Sequence, residues 1–154
     1  MFFHPIIGYH LYSIFYDNIH LTTKKGTCTM TLVPGLTGEA TTSVTHENTA
    51  ASVGAGGVEV FGTPMMIALM ENAAWQAVAH NLEKGDVTVG TVVNVRHLAA
   101  TPLGQHVRAT AELIEIDGRR LVFNVEAYDE SRKIGEGQHE RFIVNLERFI
   151  QRMN

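Results

Sequence analysis

The chain has 154 residues, 45% apolar and 18% charged, a balance typical of one folded domain and unlike that of a disordered chain. Its formal net charge of -4 offers no basic surplus for nucleic acid or an anionic membrane. The sequence contains no run of about 18 apolar residues, so no transmembrane helix is predicted. The single cysteine, Cys28, excludes an internal disulfide and favours a cytoplasmic location.

Residues 1–29 differ in composition from the rest of the chain. They hold six of the aromatic residues and three of the histidines: Phe2, Phe3, Tyr9, Tyr12, Phe15, Tyr16, His4, His10 and His20. Pro5 and Asp17 interrupt the segment, so it matches neither a secretory signal nor a membrane span. We interpret it as an aromatic arm that packs on a partner, in preference to a histidine-rich metal tail. Met30 could also be the natural start, with residues 1–29 read from upstream.

The remaining segment, 30–154, is expected to form one domain. Residues 35–44 are rich in threonine and bounded by turn residues, which favours a strand. Residues 50–57 contain three glycines and are typical of a flexible lid or connector. They are not a phosphate-binding loop, because the Gly-Lys-Ser/Thr that such a loop requires does not follow.

The strongest helix signal extends from Thr63 to Leu82. Thr63 is a good N-cap, Pro64 suits the first helical position, and Gly85 provides a stop. Residues 65–70 are apolar on every side, which predicts a central helix that is buried all round.

Four β-rich segments follow the helix, at residues 87–100, 105–116, 119–129 and 134–145. The first is expected to place five residues on one face: Val87, Val89, Thr91, Val93 and Val95. Short connections, including the turn signal Asp117-Gly118, predict consecutive antiparallel hairpins, and residues 146–153 predict a short amphipathic helix. An antiparallel sheet curled around a long helix is the α+β hot dog architecture.

Glu71 is the most informative candidate for a functional residue. It follows six apolar residues inside the helix, where a carboxylate is costly to bury unless it is paired, protonated or used in chemistry. The alternative is that the helix turns Glu71 to solvent. The apolar neighbours Ile67, Ala68 and Ala74 favour the functional interpretation.

Thr63 is sufficiently explained as a structural cap, but the start of a buried helix also offers N–H groups that can hold an oxyanion. Pro64 has no N–H, so Met65 and Met66 would be the local donors. Thr63 and Glu71 are separated by eight residues, about 12 Å along a helix. Either a substrate lies between them, or Thr63 of one subunit faces Glu71 of another.

Three further candidates lie in the β segments. His97 is a lone strand histidine, a residue that is more often structural and that gains an acid–base role only beside a carboxylate. Gly90 indicates a bulge or a close backbone approach. Arg141 follows His139-Glu140, where we expect a solvated charged face; the pair lacks the second histidine of a zinc motif.

Four segments, in order along the chain, resemble the fluoroacetyl-CoA thioesterase-like branch of hot dog proteins: residues 63–71, 90–97, 99–104 and 137–141. The intervals of eight residues from Thr63 to Glu71 and of 26 from Glu71 to His97 also match. The resemblance covers roughly residues 36–150 and implies a hot dog homodimer, or a dimer of dimers.

The resemblance also implies a function, the hydrolysis of acyl-CoA thioesters without a metal or a bound cofactor. The residues that match Thr63, Glu71 and His97 are catalytic in that family, and those that match Gly90 and Arg141 help to hold the substrate.

Two regions depart from the family pattern. Residues 1–29 have no recognised counterpart, and Gly56 and Gly57 lie where the fluoroacetyl enzyme looks bulkier and aromatic. The reaction class is therefore predicted, and the acyl group is left open. Two other functions also stay open: a hot dog protein that binds acyl-CoA without turnover, and a hot dog dehydratase or hydratase that acts on a 3-hydroxyacyl or enoyl thioester.

Overall fold

The computed structural model describes residues 31–153 of the chain. Its elements are, in order, β1 (Thr37–Ser43), α1 (Thr63–Val78), β2 (Asp86–His97), β3 (His106–Asp117), β4 (Arg120–Tyr128), β5 (Lys133–Asn145) and α2 (Leu146–Gln151). Single 3-10 turns lie at His46–Asn48 and Ala79–Asn81. The predicted arm of residues 1–29 falls outside the described part of the chain.

The five strands form one antiparallel sheet in the order β1-β3-β4-β5-β2. The predicted β segments are confirmed to within one residue at either end, with two exceptions: β1 begins at Thr37 and not at residue 35, and β2 stops at His97 and not at residue 100. Gly118, with a φ of 56°, occupies the turn between β3 and β4, where its lack of a side chain permits the left-handed conformation. β2 and β1 are the two edges of this sheet.

The core lies between the inner face of the sheet and one side of α1. Buried side chains of the helix, including Met66, Met70 and Ala73, pack against the sheet residues Leu113 and Phe123. The sheet thus curls around the helix as the α+β hot dog prediction requires. Within residues 31–153, no helix is long and apolar enough to span a membrane.

Gly38 sets the distance between the helix and β1. Any Cβ atom at this position would overlap the backbone of Ala73 and Ala77 on α1. Only glycine therefore allows the helix to lie directly against this edge of the sheet.

The helix departs from prediction in length and in burial. Its regular part ends at Val78 instead of Leu82, and Ala68, Asn72 and Trp75 are exposed, so it is not buried all round. Trp75 keeps 46% of its surface. The physical reason is that the sheet of one chain covers only one side of the helix, which leaves the opposite apolar side without cover.

The alternation predicted for β2 is wrong in its first half. Thr88 is buried, and since successive strand residues point to opposite faces, Val87 and Val89 lie on the other face. A register shift between Gly90 and Val92 inserts one extra residue. This bulge reverses the alternation, so Val87 and Val89 lie on one face of the sheet and Val93 and Val95 on the other.

Candidate active site

Thr63 and His97 are brought together at the start of α1. Thr63 is the first helical residue and Gly62 is the N-cap, so the prediction that Thr63 caps the helix is wrong. Its hydroxyl instead lies 2.8 Å from Nδ1 of His97 at the end of β2. A threonine that does not cap its helix has its hydroxyl available for another partner, which here is a histidine ring that can donate or accept a hydrogen bond.

The N–H groups predicted to serve as oxyanion donors are already used. Those of Met65 and Met66 both donate to the carbonyl of Gly62, at 2.9 and 3.0 Å, which closes the first turn of the helix. The N–H of Thr63 is the remaining candidate at the helix start, since Pro64 has none.

A depression of about 360 Å³ opens at the Thr63–His97 pair, lined also by residues of the loop before α1 and the segment after β2. Nε2 of His97 is buried and has no hydrogen-bond partner within residues 31–153. Phe61 forms part of the floor and is fixed by a backbone hydrogen bond to Thr101. The pair is thus held on ordered backbone beside a space that can receive a small group.

Glu71 lies elsewhere, against the bulge of β2. Its side chain is 39% exposed, so the expected burial is only partial within one chain. A Cβ atom on Gly90 would lie 3.1 Å from Oε1 of Glu71 and 3.1 Å from Cε1 of His139. Gly90 therefore marks both features that its sequence context predicts, a bulge and a close approach.

Arg141, on β5, contacts the same carboxylate. It is 6% exposed, and the expectation of a solvated charged face is wrong because this residue points from β5 toward α1. Its Nε donates to Oγ1 of Thr88 at 2.8 Å, and Nη2 donates to the Thr88 carbonyl at 2.9 Å. Nη1 lies 3.8 Å from Oε2 of Glu71 and 3.4 Å from the Glu71 carbonyl oxygen. Burial lowers the pKa of Arg141, and the Glu71 carboxylate opposes that effect.

His139 belongs to this cluster and was missed as a functional candidate. It is 1% exposed and lies two residues from Arg141 on β5. The signal that could have found it is the period of a strand, because residues two apart point to the same face. A buried arginine therefore predicts that the histidine two positions earlier is buried beside it.

The five predicted residues thus form two separate groups in one chain. Thr63 and His97 make one group, and Glu71, Gly90 and Arg141 make the other. About 12 Å of helix separates Thr63 from Glu71.

We expect Gly90→Ala to reduce kcat by about tenfold, because the added Cβ would displace the Glu71 carboxylate by a few tenths of an ångström. The same crowding should lower the free energy of unfolding by about 1 kcal/mol. Gly57→Ala is the matched control for stability, since a Cβ there meets nothing within 4 Å. Kinetics and thermal melts of both variants check this, and unchanged kcat in Gly90→Ala would contradict it.

Comparison with known proteins places the chain in a family. The sequence model of the family described as FlK, fluoroacetyl-CoA-specific thioesterase, matches residues 44–147. The curated fluoroacetyl-CoA thioesterase of Streptantibioticus cattleyicolor is 48% identical over 91 residues, which make up 59% of this chain and 66% of that protein. The match thus spans just under two thirds of the length of this relative.

Solved structures agree with the sequence comparison. A structure of the fluoroacetyl-CoA thioesterase FlK has a TM-score of 0.75 and 38% identity, covering 79% of this chain and 95% of that one. A thioesterase superfamily member from Thermus thermophilus has a TM-score of 0.72 and 32% identity, covering 79% and 92%. Together with the fold and the family match, these likenesses confirm the resemblance predicted from the sequence: the chain belongs to the FlK family of hot dog thioesterases.

Proposed function

We propose that this protein is an acyl-CoA thioesterase that hydrolyses a short or small acyl-CoA thioester to a free acid and coenzyme A. The observation that carries the proposal is the contact between the Thr63 hydroxyl and Nδ1 of His97 in a chain of the FlK family. A variant of FlK has been solved with fluoroacetate and CoA, at 39% identity to this chain, which supports a thioester of coenzyme A as the substrate.

Glu71 is the residue that we assign to attack on the thioester carbonyl. It either forms a mixed anhydride directly, with expulsion of the coenzyme A thiolate, after which water cleaves the anhydride and releases the acid, or it removes a proton from the water that attacks the thioester. Its partly exposed side chain can reach a substrate, and the absence of a side chain on Gly90 leaves the carboxylate room. The candidate donors for the developing oxyanion are the N–H groups of the Gly90–Thr91 bulge and of Thr63.

Arg141 is better suited to hold Glu71 than to bind a phosphate of coenzyme A. Its guanidinium is buried and is bonded to Thr88 on one side, while Nη1 points toward the Glu71 carboxylate. Arg141 therefore supports the site through the orientation and charge of Glu71.

Thr63 and His97 are assigned to proton transfer. A hydroxyl at 2.8 Å from Nδ1 can pass a proton to the imidazole or receive one from it, depending on the tautomer. In the mechanism that we favour, Thr63 positions the attacking or leaving group, and His97 supplies the proton that the thiolate takes up.

The two groups of residues work together across a homodimer, or within each dimer of a larger assembly. The uncovered side of α1 carries Glu71 and the exposed Trp75, and the edge strand β2 exposes Val92 and Val93. An apolar helix side beside a free strand edge is a surface that a second copy can cover. In such a two-fold pair, Thr63 and His97 of one subunit would face Glu71 of its partner.

Two further proposals concern the acyl group and the cellular location. The depression at Thr63 and His97 has a volume of about 360 Å³, so we propose a small acyl group. The glycines at positions 56 and 57 leave the nearby loop without bulky side chains, so we do not assign this group to fluoroacetate. The single cysteine suits a reducing compartment, and we propose the cytoplasm.

The experiment that tests the function is a thiol-release assay with a panel of acetyl-, fluoroacetyl-, propionyl- and butyryl-CoA. Saturable release of coenzyme A is expected from at least one of them. Binding without thiol release would favour the non-catalytic acyl-CoA protein. Loss of enoyl absorbance from crotonyl-CoA without thiol release would favour a hydratase. Either result would overturn the proposal.

A further inference from the structure

His139 is a buried histidine to which the proposed mechanism gives no role. Its imidazole lies beneath Gly90, with Cε1 3.1 Å from the position that a Cβ atom of Gly90 would take. On its other side it stacks against Phe123 of β4, with ring centroids 6.5 Å apart. The ring therefore occupies a fixed place directly under the bulge that adjoins Glu71.

The hydrogen bonds of the ring define its tautomer. Nδ1 lies 2.8 Å from the carbonyl oxygen of Val92, which can only accept, so Nδ1 must carry the proton. Nε2 lies 3.1 Å from Nη1 of Arg141, and a guanidinium can only donate, so Nε2 must be the unprotonated nitrogen. His139 is thus a neutral imidazole that accepts a hydrogen bond from a cation.

The surrounding charges are consistent with this neutral form. Burial lowers the pKa of His139, and Arg141 adds to that effect, whereas the Val92 carbonyl and the carboxylates of Glu71 and Glu140 oppose it. A proton on Nε2 would set two donors against each other inside the protein. The lone pair at Nε2 therefore remains available to the guanidinium.

The consequence is a chain of contacts that ends at Glu71. His139 fixes Nη1 of Arg141, and this same nitrogen lies 3.8 Å from the Glu71 carboxylate and 3.4 Å from the Glu71 carbonyl oxygen. We infer that His139 is a positioning residue that acts through Arg141 to hold the Glu71 carboxylate at the thioester. This inference rests on the proposed function and adds a residue to its site.

Two conservative substitutions separate the two hydrogen bonds of the ring. In His139→Gln, the amide oxygen can take the place of Nε2 and accept from Arg141, while the bond to the Val92 carbonyl is lost. In His139→Asn, the amide nitrogen can take the place of Nδ1 and donate to Val92, while the acceptor for Arg141 is lost. The two variants together therefore distinguish a role of His139 that acts through Arg141 from a role that only supports the β2 bulge.

The expected result is that His139→Gln keeps kcat within about threefold of wild type, whereas His139→Asn loses between about tenfold and a hundredfold in kcat with little change in KM. The opposite order, equal losses in two folded variants, or two unaffected variants would each overturn the inference. Thermal melts establish which variants fold.

A second measurement does not depend on either variant or on turnover. In nitrogen-15 NMR of the wild type at neutral pH, His139 should show a protonated Nδ1 and an unprotonated Nε2. The Nε2-protonated tautomer or an imidazolium would overturn the inference even if both variants fail to fold. If the wild type hydrolyses no acyl-CoA, the proposed function fails separately, while the NMR result still decides the hydrogen-bond arrangement on which the inference rests.

Discussion

Replacement of Glu71 by glutamine is expected to lower kcat for thiol release by at least about a hundredfold, the usual scale for removal of an acid–base group. Glutamine keeps the volume and most hydrogen-bonding capacity of the side chain, but it can neither attack the carbonyl nor accept a proton from water. Thiol release at saturating acyl-CoA is the measurement. Turnover near that of wild type would remove Glu71 from the mechanism and leave Thr63 and His97 as the reacting pair.

The same variant should be slightly less stable than wild type. Glu71 forms an ion pair with the guanidinium of Arg141, whose side chain is only 8% exposed, and its loss leaves a buried cation without that neighbour. The carboxylate is itself 39% exposed and lies 3.8 Å away, so solvent screens much of the attraction. We therefore expect a loss of about 1 kcal/mol in the free energy of unfolding, which thermal melts can measure. A change of this size leaves the protein folded and does not explain a hundredfold loss of rate.

Removal of the Thr63–His97 contact is the second change with a large expected effect. His97→Ala and Thr63→Val should each lower kcat by about a hundredfold, because both break the 2.8 Å contact between hydroxyl and imidazole. Thr63→Ser keeps the hydroxyl and should retain most of the activity, which makes it the matched control. Thiol-release kinetics of the three variants test this, and equal activity of the valine and serine variants would contradict it.

The pair should also behave as a unit. If Thr63 and His97 share one proton-transfer step, the double variant should be little slower than either single variant, because groups that act together are not additive. Multiplied losses in the double variant would show that the two side chains act in separate steps.

The regular features of the fold follow from local sequence signals. Alternating apolar residues and turn signals such as Asp117-Gly118 predict the strands, and the apolar run after Thr63 predicts the helix. These signals are reliable in β3 and β4, where the alternating apolar residues are buried and periodicity records burial directly. The family resemblance implies that Thr63 and His97 are both catalytic, but it does not predict their contact, and no local pattern relates two residues 34 positions apart.

The features that local signals do not predict depend on contacts between distant segments. The bulge after Gly90 reverses the faces of β2, and a simple period of two cannot show where such an insertion occurs. The burial of Arg141 depends on Thr88 and Glu71, which lie far away in the sequence. The residue type of Thr63 predicts an N-cap, but Gly62 occupies that position.

In the proposed dimer, Thr63 and His97 of one subunit act on the same thioester as Glu71 of its partner. The most direct test is a mixed dimer of one Thr63→Val chain and one Glu71→Gln chain. The two chains are co-expressed with different affinity tags and purified through both tags. Light scattering then verifies that the particle has twice the mass of one chain. One of its two sites then holds every native residue, so about half of the wild-type rate should return although both parent homodimers are nearly inactive. A mixed dimer as inactive as its parents, or a protein that elutes as a single chain, would contradict the claim.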